Sequence, residues 1–188
     1  MTAEPLDLTH RAGLPDALRV LLKAHPRETW ESHGNFGEMV RFWLERHLMF
    51  RQVMDRLAED AEALIDKRIA PDAYAPRLSR FGGFLLQQLH AHHQIEDAHY
   101  FPKLIRLDAR LERGFEMLEA DHHAIDGLLS RFADSANAVL QADGGAAARE
   151  ATASFHREHM AFHALLDRHL TDEEELVVPV ILQTGFDG

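Results

Sequence analysis

Histidine and glutamate residues recur among apolar residues at spacings that suit metal binding. Fourteen histidines occur in the 188 residues, dispersed through the interior of the chain rather than gathered in a terminal run. His92 and Glu96 are four residues apart, as are His169 and Glu173. On a helix that turns about 100° per residue, each pair places a nitrogen donor and an oxygen donor on one face. These pairs are the first candidates for ligands of a divalent cation.

Further candidate ligands lie on the apolar faces of the same and other segments. On a helical wheel, His99 falls within about 60° of His92. His93, the next residue, lies beside them on the same side of the helix. His47 and His122 each stand among apolar neighbours. Buried ionisable groups are costly unless they are paired or bind a metal. We therefore expect a site for two divalent ions, with five imidazoles and two bridging carboxylates.

Four amphipathic segments carry these candidates. In each, apolar residues recur at spacings of three and four, the period of a helix with one buried face. The first helix is predicted over residues 28–68, which contain no proline, and the second is predicted to end near residues 101–102. The third is predicted to end in the small-residue stretch 141–145, and the fourth to run toward Pro179. No segment alternates β-branched and polar residues, so the predicted fold class is all-α.

The predicted architecture is an up-down antiparallel four-helix bundle with a short N-terminal extension. Prolines and a glycine interrupt any long helix in the first two dozen residues. Residues 1–27 are therefore interpreted as an N-terminal arm and residues 28–184 as the bundle. Because a bundle buries one stripe of each helix, polar residues at matching depth on the four stripes should meet in its centre.

Composition narrows the available chemistry. The chain has no cysteine, which excludes disulfides, thiolate zinc sites, iron–sulfur clusters and a cysteine nucleophile. The formal net charge of −11, from 31 acidic and 20 basic residues, argues against a nucleic-acid partner. Neither a signal peptide nor a run long enough to span a bilayer is recognised, so we expect a cytoplasmic protein without a membrane partner.

Other histidines and acids are weaker candidates. A single inward-facing histidine such as His47 is more often a hydrogen-bonded core residue than a metal ligand. A metal is favoured because all four predicted helices carry potential ligands. Three histidines of the fourth segment are predicted to line a flank or face solvent: His156, His159 and His163. Four acids are expected either to orient imidazole N–H groups or to be solvated on the surface: Asp97, Asp126, Glu174 and Glu175.

Three motifs resemble those of the hemerythrin HHE cation-binding family. Residues 92–102, HHQIEDAHYFP, are similar to the family's HHxxED segment with its following FP. Residues 121–126, DHHAID, are similar to its DHxxID pattern, and residues 169–174, HLTDEE, with Pro179, to its terminal HLxxEE and proline. The three motifs occur in the family's order and on the corresponding helices, and the resemblance covers residues 28–182.

The resemblance implies a bundle that holds two metal ions, with iron expected and manganese or zinc as other metals that the same donors bind. The implied ligands form two sets that share the bridging carboxylates Glu96 and Glu173: His47 and His92 for one ion, and His93, His122 and His169 for the other. Oxygen carriers of the family have a second histidine where this chain has Asp126. The closer likeness is therefore to hemerythrin-like domains that sense iron or oxygen.

The leading hypothesis is a non-haem di-iron protein that interacts with O₂, peroxide or NO in sensing, iron handling or stress protection. The alternative is an enzyme, a di-iron or di-manganese oxidase or peroxidase. A metal-free helical scaffold ranks last, because it leaves the buried donors uncompensated. The sequence does not indicate the oligomeric state.

Overall fold

All the regular structure in the computed structural model, which describes residues 6–188, is helical. The fold-class prediction is confirmed: the chain is an all-α helical bundle, and no strand occurs within the described residues. None of the described helices has the length and hydropathy that crossing a bilayer requires. In chain order the α-helices are α1 (Val20–Ala24), α2 (Glu38–Ile65), α3 (Pro71–Ile95), α4 (Phe101–Leu107), α5 (Glu112–Leu140) and α6 (Gly144–Thr184).

The first long helix begins later than its sequence pattern predicts. Residues 27–29 form a 3₁₀ turn, and α2 starts only at Glu38. Gly34 and Gly37 lie between them, and glycine is among the residues least favourable to a helix interior. Backbone hydrogen bonds from Phe36 to the His33 carbonyl and from Gly37 to the Asn35 carbonyl close turns here. The prediction of a helix from residue 28 is therefore wrong at its start.

The second long helix does not end at Pro102 as predicted. After α3, residues Glu96–Tyr100 form a π-helical turn, and α4 continues the helix. Pro102 lies in the first turn of α4, where the N–H that proline lacks is not needed. A π-turn inserts extra backbone and changes the direction of the side chains that follow. Glu96 is buried and His99 exposed, so the helical wheel that grouped His99 with the ligands is wrong.

The internal contacts divide the chain into two units, and each long helix contributes to both. The described part of unit 1 consists of residues 6–48, 93–124 and 165–188. Its core contains side chains from the N-terminal region, among them Leu14, Leu18 and Leu21, together with Phe115 and Val177. The described part of the predicted arm is thus packed into unit 1, whereas the boundary between residues 27 and 28 stays a prediction.

Unit 2 consists of residues 49–92 and 125–164 and contains a buried histidine. His159 is 1% exposed, and its Nε2–H donates a hydrogen bond to the Met54 carbonyl at 2.8 Å. Its ring stacks on Phe155, with centroids 5.5 Å apart. The prediction that His159 lines a flank or faces solvent is wrong, because it follows Phe155 by four residues and precedes Phe162 by three and so shares their buried face.

His159 should make the stability of the protein depend on pH. Burial lowers its pKa to about 4, against the opposing effect of the bond to Met54. An unfolded histidine titrates near pH 6.5, so the unfolded chain takes up a proton that the folded chain does not. The free energy of unfolding should therefore fall, by about 2 kcal/mol for this group between pH 7 and pH 5.

Replacing His159 with glutamine should remove this contribution, because the amide can still donate to Met54 but does not titrate. Urea unfolding with EDTA present, at pH 7 and pH 5, measures the difference. His163→Gln, on the same helix at a half-buried position, is the matched control and should change the pH dependence less. Equal pH dependence in His159→Gln and the unmodified chain would contradict the assignment.

Candidate metal centre

Histidine and glutamate side chains, most of them buried, form two groups of potential metal ligands. One group comprises His93, His122 and His169, and the other His47, His92, Glu96 and Glu173. Within each group the residues offer one ligand atom each, and these atoms lie within 4.8 Å of one another. The structure thus brings together all seven candidate ligands, in the two histidine sets that the family resemblance implies. Their binding of a metal stays a prediction.

All the long helices contribute to these groups. His47 comes from α2, His122 from α5, and His169 and Glu173 from adjacent turns of α6. The paired histidines 92 and 93 lie near the end of α3, and Glu96 is the first residue of the π-turn. Six of the seven side chains are buried, and His92, the last residue of the 49–92 segment, is half-buried.

The three imidazoles of the first group are packed against one another. The rings of His93 and His122 stack with centroids 4.0 Å apart and an angle of 8° between planes. His169 meets both rings edge-on, at 5.3 Å from His93 and 4.9 Å from His122. Phe101 covers His122 at 5.5 Å. This packing restricts the rotation of each ring and so fixes where its nitrogens point.

Three histidines, one from each of α2, α5 and α6, are oriented by a carboxylate. Each pairs through Nδ1 with one acid: His47 with Glu174 at 3.1 Å, His122 with Asp97 at 2.8 Å, and His169 with Asp121 at 3.1 Å. A carboxylate accepts the hydrogen bond, so Nδ1 is the donor and the lone pair of a neutral ring lies on Nε2. Carboxylates in this position are typical of metal-binding histidines.

The four acids for which the sequence allowed two roles, orienting imidazoles or lying on the surface, have different environments. Asp97 and Glu174 orient imidazoles, as described above. Asp126 is exposed and lies 3.5 Å from the exposed His90. Glu175 is half-buried, and burial raises its pKa.

The Nε2 atoms point toward the two glutamates. Nε2 of His47 and of His169 each lie 3.3 Å from Glu173, the first from Oε1 and the second from Oε2. Nε2 of His122 lies 3.7 Å from Oε2 of Glu96. Glu173 therefore faces one histidine of each group, and Glu96 also faces a histidine of the group to which it does not belong. This is the arrangement that a bridging carboxylate needs.

The two glutamates have opposite pKa shifts. Burial and the neighbouring Glu173 carboxylate raise the pKa of Glu96 well above its usual range. Burial would raise the pKa of Glu173 too, but the positive charges of His47 and His169 outweigh burial and hold this pKa well below the usual range. A divalent cation between two such carboxyl groups would stabilise the ionised form of both.

The histidines also differ in their pKa values. Burial lowers the pKa of His122 despite the hydrogen bond to Asp97. For His169, burial acts in the same direction, but Asp121 and Glu173 raise the pKa to about 9. The acidic residues around the site thus favour positive charge in its interior.

Two residues that contact the site were missed by the sequence analysis. Trp43, interpreted only as part of an apolar stripe, donates its Nε1–H to Glu173 Oε1 at 2.6 Å. Arg11 donates Nη1–H to Asp121 at 2.7 Å and Nε–H to Asp172 at 2.7 Å. Arg11 belongs to the predicted arm and has no helical periodicity that could have indicated burial. The two acids that Arg11 binds are each adjacent in sequence to a candidate ligand, and this was the only sequence feature that could have indicated a role for them.

The donors present fit a metal ion. Nε2 of His122, Nε2 of His169 and Oε2 of Glu173 are buried and make no hydrogen bond within the described residues. Buried polar atoms are nearly always satisfied, so such atoms need an explanation, and a bound ion is one. Imidazole nitrogen and carboxylate oxygen together suit iron, manganese, zinc or cobalt.

One comparison with known proteins found a match. The family model described as "Hemerythrin HHE cation binding domain" matches residues 38–181. No curated protein and no solved structure matches the chain.

Asp121 should contribute to stability in the absence of metal. In Asp121→Asn, the buried Arg11 keeps only Asp172 as an ionised partner, so the free energy of unfolding should fall by about 2 kcal/mol. Asp126→Asn is the matched control on the same helix, because its exposed pair with His90 should contribute less than about 0.5 kcal/mol. Urea unfolding with EDTA present measures both. Equal effects would contradict a structural role for the Arg11–Asp121 pair.

Proposed function

The chain belongs to the hemerythrin HHE cation-binding family, and on that basis we propose that it is a non-haem protein that binds two metal ions, with iron as the metal. It interacts with O₂, peroxide or NO and serves in sensing, iron handling or stress protection. Cation binding is the property of the family, whereas the metal, its number and its ligand are our proposal. The expected cytoplasmic location stays a prediction.

The orientation of the imidazoles is the observation that carries the proposal. His47, His122 and His169 each use Nδ1 to bind a carboxylate behind the ring and turn Nε2 toward Glu96 or Glu173. A histidine that serves only to fill a core needs no such arrangement, and three of them on three helices argue for a common ligand. An ion between the Nε2 atoms and the glutamates would be that ligand.

The bridging geometry supports two ions rather than one. Glu173 has one oxygen near His47 of the second group and the other near His169 of the first. Trp43 donates to the oxygen on the His47 side and so fixes the rotation of the carboxylate. One carboxylate can therefore serve an ion in each group, as in other helical bundles with carboxylate-bridged metal pairs.

The enclosure of the site favours a small ligand. Of the seven candidate side chains only His92 is half-buried, and the others are buried. A metal pair would supply redox chemistry toward O₂, peroxide or NO. The residues of the chain hold the ions, keep the imidazoles oriented and exclude bulk water, and a site so enclosed admits molecules of two or a few atoms more readily than a large substrate.

Metal analysis and a visible spectrum test the proposal. Protein from iron-supplemented cells should contain about two irons per chain and show a near-ultraviolet oxo-bridge band that bleaches with dithionite. Trace metal only, unchanged after anaerobic reconstitution with ferrous iron, would contradict it. Oxidation by air that stops after one stoichiometric reaction favours sensing, whereas continued consumption of O₂ or peroxide with a reductant favours the enzyme alternative.

Ligand variants locate the site. His169→Ala and Glu173→Gln should each cut the metal content sharply and reduce the thermal stabilisation that metal gives, because binding to the folded state alone adds to its stability. His156→Ala and His163→Ala are the matched controls, since they change histidines of the same helix that lie outside both ligand groups. Equal metal loss in the ligand and control variants would count against the assignment.

A further inference from the structure

The N-terminal segment, defined here as residues 6–30, supplies an arginine to an acid behind one histidine of the first group. The side chain of Arg11 is 1% exposed, and both of its terminal nitrogens bind the Asp121 carboxylate. Asp121 in turn accepts the hydrogen bond from His169 Nδ1. A guanidinium that holds both oxygens of a carboxylate fixes its plane. Arg11 therefore determines how Asp121 meets His169.

A second arginine of the segment contacts the acid behind a histidine of the other group. Arg27 Nη2–H donates to Glu174 Oε2, and the other oxygen of Glu174 accepts from His47 Nδ1 at 3.1 Å. The Arg27 guanidinium also lies 4.8 Å from the ring centroid of the buried Trp30, which holds it in place. Arg27 thus binds one oxygen of Glu174 from a side chain that is 49% exposed, whereas the buried Arg11 binds both oxygens of Asp121.

The segment is held close to α6 by more than these two contacts. Leu14, Leu18 and Leu21 are buried in the core of unit 1. Gly13 lies against the Arg168 guanidinium of α6, since a Cβ atom at this position would be 2.9 Å from Arg168 Nη1. Arg168 itself pairs with Asp172 at 3.4 Å, the second acid that Arg11 binds. The two arginines are therefore presented by a packed piece of chain.

We propose that Arg11 and Arg27 are positioning residues of the metal centre, so that the N-terminal segment is a working part of the site. Each arginine holds the carboxylate that orients one ligand, Arg11 through Asp121 for His169 and Arg27 through Glu174 for His47. Both lie outside residues 38–181, the part of the chain that matches the family. The inference rests on the proposed metal binding and extends it to residues that never touch the ion.

Cobalt titration of the metal-free protein tests the proposal, with Co²⁺ as the probe because its visible spectrum reports coordination. Arg27→Gln should weaken one of two Co²⁺ affinities by about tenfold, as loss of outer partners of metal-bound histidines does. Arg27→Lys keeps the charge and should restore most of the affinity. Arg11→Lys, which loses the paired contact with Asp121, should weaken the other Co²⁺ affinity and alter its spectrum. Arg11→Gln is avoided, because it leaves the buried Asp121 without an arginine partner and Asp172 with only Arg168.

Arg19→Gln is the matched control. Arg19 lies in the same segment, is half-buried and donates to the Leu14 carbonyl at 2.7 Å. Its loss should leave both Co²⁺ affinities and the spectrum unchanged. If the unmodified chain binds two Co²⁺ ions and the arginine variants bind them equally well, or if Arg19→Gln weakens binding as much, the inference is wrong. Failure of the unmodified chain to bind Co²⁺ would overturn the proposed function as well.

Discussion

The Glu173 carboxylate has no exposed surface, and much of the structure around it compensates its charge. Trp43, His47 and His169 approach it from α2 and from its own helix. Positive charge on those imidazoles must be balanced in turn, and Asp121 and Glu174 do so. These acids are then paired with arginines of the N-terminal segment. Acidic and basic side chains therefore alternate from the centre of unit 1 outward, because each buried charge needs a partner of opposite charge.

The π-turn at residues 96–100 lies at the candidate metal site. It begins at Glu96, three residues after His93. Glu96 is buried, whereas Ala98 and His99 of the same turn are exposed. Such local departures from α-helical geometry are frequent at functional sites. Here the departure allows α4 to continue past Pro102, where the sequence suggests an end.

Helical periodicity predicted those features that depend on residues three or four apart. His169 and Glu173 could be placed on one face because α6 is regular there, and His92 and Glu96 because the π-turn begins only at Glu96. His99 was misplaced because a wheel of constant angle does not describe a π-turn. His159 was predicted to lie at the surface together with His156 and His163, although Phe155 and Phe162 share its face of the helix and are buried. Arg11 could not be predicted, since its partners are 110 and 161 residues away and leave no local pattern.

Both tryptophans of the chain contact the network of alternating charges that surrounds Glu173. Trp43 hydrogen-bonds to Glu173, and Trp30 lies under the guanidinium of Arg27. Indole emission is sensitive to nearby charge and to quenching by transition metals. The intrinsic fluorescence of this protein therefore reports on the network: one fluorophore contacts the Glu173 carboxylate, and the other contacts the Arg27 guanidinium.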